Sequence, residues 1–113
     1  MLRFLLISFL LLSLSGCETA EEKSVRICED GATAYPHIKE LISERLVAPA
    51  SASYPDFSNV RHRYLGSCRH RFNGYVDAQN RASAMLRLNY TIVVRANPST
   101  GRYSVESFDM QQR

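Results

Sequence analysis

Between residues 60 and 72 the chain reads Val60-Arg61-His62-Arg63-Tyr64-Leu65-Gly66-Ser67-Cys68-Arg69-His70-Arg71-Phe72. On both sides of Gly66 apolar residues or histidines alternate with arginines, and this period of two predicts a β-hairpin buried on one face. If the even-numbered residues share the buried face, residue 64 lies opposite 68 and residue 62 opposite 70, which requires a three-residue loop centred on Gly66. A two-residue Gly66-Ser67 turn would bury one pair of arginines, and we disfavour it for that reason.

The flanking sequence predicts one helix before this hairpin and two strands after it. Apolar residues recur at helical spacing up to Leu46, and Pro49 ends the helix. A long third strand alternates through Leu86, Leu88, Tyr90, Ile92 and Val94. A fourth strand runs from Tyr103 to Phe108, and its broken alternation after Val105 indicates a bulge. The predicted fold is α+β, with one N-terminal helix packed on a four-stranded antiparallel sheet.

The first seventeen residues have the pattern of an export signal. Arg3 precedes an apolar run over residues 4–12, and small residues lead to Cys17. The tetrapeptide Leu14-Ser15-Gly16-Cys17 resembles the lipobox of bacterial lipoproteins, which implies cleavage before Cys17 and acylation of its thiol and amine. Glu18 follows where an Asp commonly retains such proteins in the inner membrane, so the resemblance implies an outer-membrane lipoprotein of a Gram-negative cell. The alternative is an ordinary cleaved signal with an unrelated cysteine.

These boundaries predict a signal peptide over residues 1–16, a lipidated tether over 17–27 and a single α+β domain over 28–113. Removal of the signal leaves 97 of the 113 residues, enough for one small core. Cys28 and Cys68 remain in this domain. Because the exported side of the membrane is oxidising, we expect a disulfide between them.

Charge is distributed unevenly along the chain. From residue 17 to 56 eight acidic residues face four basic ones, whereas from residue 57 onward nine arginines face three acids. In the register above Arg61 opposes Arg71 and Arg63 opposes Arg69, an unfavourable arrangement of like charges. Either the guanidinium groups are simply solvated, or an anionic partner neutralises them, with Arg87 extending the patch. Candidate partners are an anionic envelope component or an acidic protein; nucleic acid does not fit that compartment.

The sequence offers little chemistry beyond this patch. His62 and His70 would lie opposite each other on the inner face, and a hydrogen-bonded pair is favoured over a metal site because no carboxylate falls beside them. No nucleophile elbow or glycine-rich phosphate loop is present. We therefore expect no catalytic residues, no metal and no cofactor.

Two segments resemble a group of small bacterial and phage proteins. They are Pro49-Ala50-Ser51-Ala52-Ser53-Tyr54-Pro55 and Gly74-Tyr75-Val76-Asp77-Ala78-Gln79-Asn80, and the resemblance extends from about Tyr35 to Val94. The group has no assigned function, so the resemblance implies a portable module and transfers no active site. The chain departs from the group at Arg81-Ala82-Ser83 and at Tyr90-Thr91-Ile92. Residues 77–80 are read as a polar turn, in which Asp77, Gln79 and Asn80 are candidates for a specific polar contact.

The function expected from the sequence is that of an outer-membrane lipoprotein whose domain is a non-catalytic binding module facing the periplasm or the cell surface. The predicted contact residues are Arg61, Arg63, Arg69, Arg71, Arg87, Asp77, Gln79 and Asn80. The alternative is an exclusion or inhibitor lipoprotein that blocks a phage receptor or a toxin.

Overall fold

The architecture is α+β, with two helices and a four-stranded antiparallel sheet in the order β1-β2-β3-β4. A computed structural model describes residues 17–112; the predicted signal peptide, including Leu14-Ser15-Gly16, and Arg113 lie outside the described residues. Within that range no helix has the length and apolar character needed to cross a membrane. The elements are α1 (Ala20–Glu29), α2 (Gly31–Ser43), β1 (Arg61–Gly66), β2 (Arg69–Gln79), β3 (Met85–Asn97) and β4 (Arg102–Gln112).

Helix α1 occupies most of the segment for which the sequence predicted an irregular tether. Thr19 caps its start, because its hydroxyl accepts a hydrogen bond from the Glu22 backbone N–H at 3.1 Å. Ile27 is the one buried side chain of this helix, and the Tyr103 hydroxyl donates to its carbonyl at 3.2 Å. A single buried residue produces no apolar period, and for this reason the sequence pattern missed the helix.

Helix α2 is the amphipathic helix that the sequence predicted. The Asp30 carboxylate accepts from the Ala32 backbone N–H at 3.2 Å and caps the helix. The helix ends at Ser43, one turn before the predicted end, and Leu46 is buried beyond it. Its buried side chains join the even-numbered residues of the strands in one core, which includes Ala34, Tyr35, Ile38, Ile42, Phe72, Val76, Ile92 and Val94.

The predicted alternation of the hairpin is confirmed, but the predicted register is wrong by two residues. Tyr64 pairs with His70 and Arg63 with Arg71, so the loop is the two-residue Ser67-Cys68, with positive φ angles of 52° and 60°. A bulge at residue 65 adds one residue to β1, and this extra residue keeps the even-numbered side chains of both strands on one face. A two-residue loop between regular strands would bury one pair of arginines, but the bulge in β1 keeps them on the solvent side.

Residues 49–55 and 74–80 contact each other. Ser53 and Asp77 exchange both backbone hydrogen bonds, at 2.8 and 3.0 Å, and the Gln79 backbone N–H donates to the Ser51 hydroxyl at 2.8 Å. Residues 77–79 therefore belong to β2, and the prediction of a turn there is wrong. The turn begins at Asn80, whose carboxamide oxygen accepts from the Ala82 and Ala84 backbone N–H groups at 2.9 and 3.0 Å.

Candidate functional site

The sheet face opposite the core, which we call the outer face, is formed by the odd-numbered residues of β1, β2 and β3. On β4 the bulge reverses the alternation, so Tyr103 and Val105 pack against the core while Arg102 and Ser104 pair with outer-face residues of β3. Helix α2 packs its buried apolar residues on the core face, and α1 buries Ile27 on the same side, so the side chains of the outer face remain accessible. Strand pairing aligns these side chains in rows across the sheet. Polar residues predominate in the rows, with Val93 the apolar exception near the centre.

Three arginines of the outer face are grouped around the β1–β2 pairing. Arg63 lies directly opposite Arg71, and Arg61, two residues along β1, lies opposite Asn73. Arg61 and Arg63 are exposed and Arg71 is half-buried. Among residues 17–112 no ion pair includes any of the three, which we call the arginine cluster. Their mutual repulsion is therefore uncompensated by a carboxylate of the described chain.

Arg69, predicted as a fourth member of this group, has an acidic partner. Its Nε donates to Glu106 Oε1 at 2.8 Å, and Arg95 Nε donates to the same oxygen at 3.3 Å. Glu106 occupies the β4 bulge indicated by the sequence, since Val93 pairs with Ser107 and Val94 with Val105. The hydrogen bond from Arg69 holds the pKa of Glu106 below its usual value despite the opposing effect of desolvation.

Arg87 is also paired, at the other end of the outer face. Its Nε and Nη2 atoms donate to the two carboxylate oxygens of Asp77 at 2.9 and 3.0 Å, and this hydrogen bonding lowers the pKa of Asp77. The guanidinium carbon lies 3.9 Å from the centre of the Tyr75 ring. Arg87 and Asp77 therefore fix each other and the Tyr75 ring, and lie apart from the arginine cluster.

The other predicted contact residues, Gln79 and Asn80, do not join the cluster. Gln79 is exposed at the end of β2, and Asn80 uses its carboxamide oxygen within its own turn. Asn80 thus has a structural role that the turn chemistry could have indicated. The structure brings together three of the eight predicted contact residues, Arg61, Arg63 and Arg71, in a group that forms no ion pair among residues 17–112.

A polar depression in the outer face adjoins the cluster and was not predicted. One row across all four strands is formed by Arg61, Asn73, Thr91 and Asp109, and the next contains Tyr75, Asn89 and Gln111. These seven residues, with Asn59 and the backbone near residue 74, line a volume of about 350 Å³. The Asn73 carboxamide donates to the Thr91 hydroxyl at 2.6 Å. The sequence pattern did not predict this depression, because its lining residues lie far apart along the chain. They become neighbours only when the four strands pair in this register.

The histidines contact each other across the hairpin on the inner side. His62 Nε2 lies 2.7 Å from His70 Nδ1, and His70 Nε2 lies 2.7 Å from the Cys28 carbonyl oxygen. Because a carbonyl can only accept, His70 carries its proton on Nε2 and His62 donates to Nδ1. Desolvation lowers the pKa of both rings, and the neighbouring His70 lowers that of His62 further. The predicted hydrogen-bonded pair is therefore confirmed, with His62 diagonal to His70 rather than opposite.

The predicted disulfide between Cys28 and Cys68 is confirmed and joins the end of α1 to the hairpin loop. Tyr64 lies beside it, with its hydroxyl oxygen 3.6 Å from Cys28 Sγ and 3.1 Å from the Cys68 backbone nitrogen, which donates to it. Cys17 is an exposed free thiol. Within the described range no group of three or more His, Cys, Asp or Glu side chains is arranged to hold a metal ion.

No family model, curated protein or solved structure matches this chain.

Proposed function

We propose that the protein is an outer-membrane lipoprotein whose domain binds an anionic partner through the arginine cluster, without catalysing a reaction. The observation that carries the proposal is the direct cross-strand pairing of Arg63 with Arg71 next to Arg61, with no acidic partner among the described residues. Arg69, Arg95 and Arg87 of the outer face differ, because they form ion pairs with Glu106 or Asp77.

The position of the cluster supports binding rather than folding as its role. Exposed charges contribute little to stability, and like charges on paired residues reduce it. A cluster that lowers stability is consistent with selection for a partner that supplies the missing negative charge. Arginine suits this role because its planar fork forms two parallel hydrogen bonds with a carboxylate or phosphate.

The membrane anchor follows from the lipobox resemblance at Cys17, which is exposed at the start of the described chain. Two acyl chains suffice for stable anchoring, and an acylated Cys17 would carry three. Helix α1 begins three residues later, at Ala20, so the anchor would hold the domain close to the membrane surface. Anionic groups of the envelope would then be present at high local concentration.

The test measures binding of poly-glutamate to the purified, detergent-solubilised protein at low and at physiological ionic strength. We expect measurable affinity that falls with salt, and a loss of roughly tenfold or more in Arg61→Gln/Arg63→Gln/Arg71→Gln. The matched control is Lys23→Gln/Arg81→Gln/Arg102→Gln, which removes the same net charge from exposed positions outside the cluster. Equal losses in both variants would show attraction by net charge alone and would overturn the proposal.

A second measurement tests for the partner in intact cells by photo-crosslinking. A photo-crosslinking residue at position 63 on the outer face should capture an anionic envelope component, whereas one at exposed position 37 on α2 should not. Mass spectrometry of the captured species then identifies the partner. Capture of the same species from both positions would place the contact outside the outer face.

A further inference from the structure

We infer that the partner of the outer face is a carboxylate-bearing oligosaccharide, whose sugar rings occupy the polar depression while its carboxylate meets the arginine cluster. This inference rests on the proposed function, since it assigns the ligand class of the same face. The observation that carries it is that carboxamides with no side-chain hydrogen bond within residues 17–112 line the depression beside guanidinium groups that form no ion pair in that range. Arg61 belongs to both the depression and the arginine cluster.

The depression has hydrogen-bonding capacity that the described chain does not use. Asn59, Asn89 and Gln111 line it, and no side-chain hydrogen bond within residues 17–112 involves any of them. A carboxamide presents a donor and an acceptor side by side. Adjacent hydroxyl groups or an acetamido group on a sugar ring offer the complementary pair. The volume of about 350 Å³ lies at the small end of ligand sites and suits one or two rings.

Tyr75 supplies the apolar part of this lining. The Arg87 guanidinium packs on the ring and is itself held by Asp77, so the ring has a fixed position before a ligand arrives. A fixed aromatic wall beside hydrogen-bonding side chains provides contact area for the C–H groups of a sugar at low entropic cost.

The charged residues of the depression favour one orientation of a bound acidic ligand. Arg61 and Asp109 lie at opposite ends of one row across the sheet, and among residues 17–112 Asp109 takes part in no ion pair. An acidic group is attracted toward Arg61 and the cluster and repelled from the β4 side. A neutral sugar would leave the guanidinium groups unpaired, and a ligand charged along its whole length would meet Asp109.

Two other ligand classes fit these observations less well. A lipid needs an apolar surface for its chains, yet the exposed large apolar residues are scattered, and Met85 is separated from the depression by the Asp77–Arg87 pair. An extended peptide would bind by adding a strand at a sheet edge, whereas the depression centres on β2 and β3, whose backbone groups are already paired on both sides.

The test uses three probes on the full chain purified in uncharged detergent. They are the disaccharide of N-acetylglucosamine and N-acetylmuramic acid, which carries one carboxylate, its methyl ester, and poly-glutamate. Asn89→Ala/Gln111→Ala should bind the disaccharide about tenfold more weakly, because each lost hydrogen bond contributes modestly, and should bind poly-glutamate unchanged. The control is Gln79→Ala/Gln112→Ala, which removes two exposed carboxamides outside the depression. The methyl ester should bind the wild-type chain more weakly than the acid.

The outcomes separate this inference from the proposed function. If poly-glutamate binding depends on the arginine cluster but the disaccharide does not bind, or binds Asn89→Ala/Gln111→Ala normally, the oligosaccharide inference is overturned and the proposed function stands. Cluster-dependent binding to phosphatidylglycerol vesicles in place of the disaccharide would likewise overturn it and identify a lipid headgroup. If poly-glutamate binding does not depend on the cluster, the proposed function fails.

Discussion

His62 Nε2 lies 2.7 Å from His70 Nδ1, so His62 donates to His70, and His70 must be neutral to accept this hydrogen bond. Below them the Cys28 carbonyl accepts from His70, and the Asp30 carboxylate, which caps α2, opposes the lowering of both pKa values. The pair thus couples the hairpin to the junction between the two helices.

Stability should therefore fall in mild acid. Both histidines have a folded-state pKa below the ordinary value of 6.5, so the unfolded chain binds more protons, and the stabilisation is complete above about pH 6.5 and lost as the pH falls. Thermal denaturation between pH 7.5 and about pH 5 should show Tm dropping by several degrees. His62→Gln, which keeps a donor without a titrating ring, should flatten this dependence. His37→Gln leaves the pair intact and should retain it.

Removal of the disulfide should destabilise the domain. Cys28 and Cys68 are 40 residues apart, and closing such a loop contributes about 4 kcal/mol on the chain-entropy estimate. We expect a lower free energy of unfolding in Cys28→Ser/Cys68→Ser, measured by urea denaturation. Wild-type protein purified without reductant should resist thiol alkylation at both Cys28 and Cys68. Quantitative labelling of Cys28 and Cys68 would contradict the bridge.

Gly74 and Tyr90 should show strong energetic coupling. A Cβ on Gly74 would lie 2.7 Å from the Tyr90 hydroxyl, which is buried without a hydrogen-bond partner in the described structure. Gly74→Ala should therefore destabilise the domain, and the loss should be smaller when Tyr90→Phe is also present. Tyr90→Phe by itself should cost little or should stabilise, because it removes an unsatisfied buried hydroxyl. Additive effects in this double-mutant cycle would refute the contact.

The arginine cluster should be dispensable for folding. Arg61→Gln/Arg63→Gln/Arg71→Gln relieves the repulsion between paired strands, so Tm should stay the same or rise slightly. Arg69→Gln should instead lower Tm slightly, because it removes the hydrogen bonds to Glu106. A large loss of stability in the triple variant would mean that these arginines are paired within the chain.

The lipid anchor is tested at Cys17. Cys17→Ser should leave an unprocessed, unacylated chain that no longer fractionates with the outer membrane, because the acylated thiol would be missing. Cys28→Ser/Cys68→Ser, which retains Cys17, serves as the control and should still be processed. Mature-sized Cys17→Ser protein in the outer-membrane fraction would rule out lipidation at this residue.

The alternation of residue types was enough to assign each hairpin residue to one face of the sheet. Side chains of a strand alternate strictly, so Phe72 and Val76 had to enter the core and the arginines had to lie on the outer face, whatever the register. The disulfide between Cys28 and Cys68 could likewise be predicted from the sequence, since they are the two cysteines of the predicted domain. The bulge at Glu106 was visible as a break in the alternation of β4.

Which residues become neighbours across strands could be read only from the folded chain. The bulge at residue 65 shifts the hairpin register by two and places Arg63 opposite Arg71, and Glu106 reaches Arg69 from 37 residues away. The polar depression likewise requires β1, β2, β3 and β4 to be aligned before Arg61 and Asp109 share a row. Hydrophobic period and composition are local properties of the chain, whereas cross-strand neighbours depend on turn geometry and long-range packing. A one-residue insertion in a single strand therefore changes every cross-strand pair beyond it.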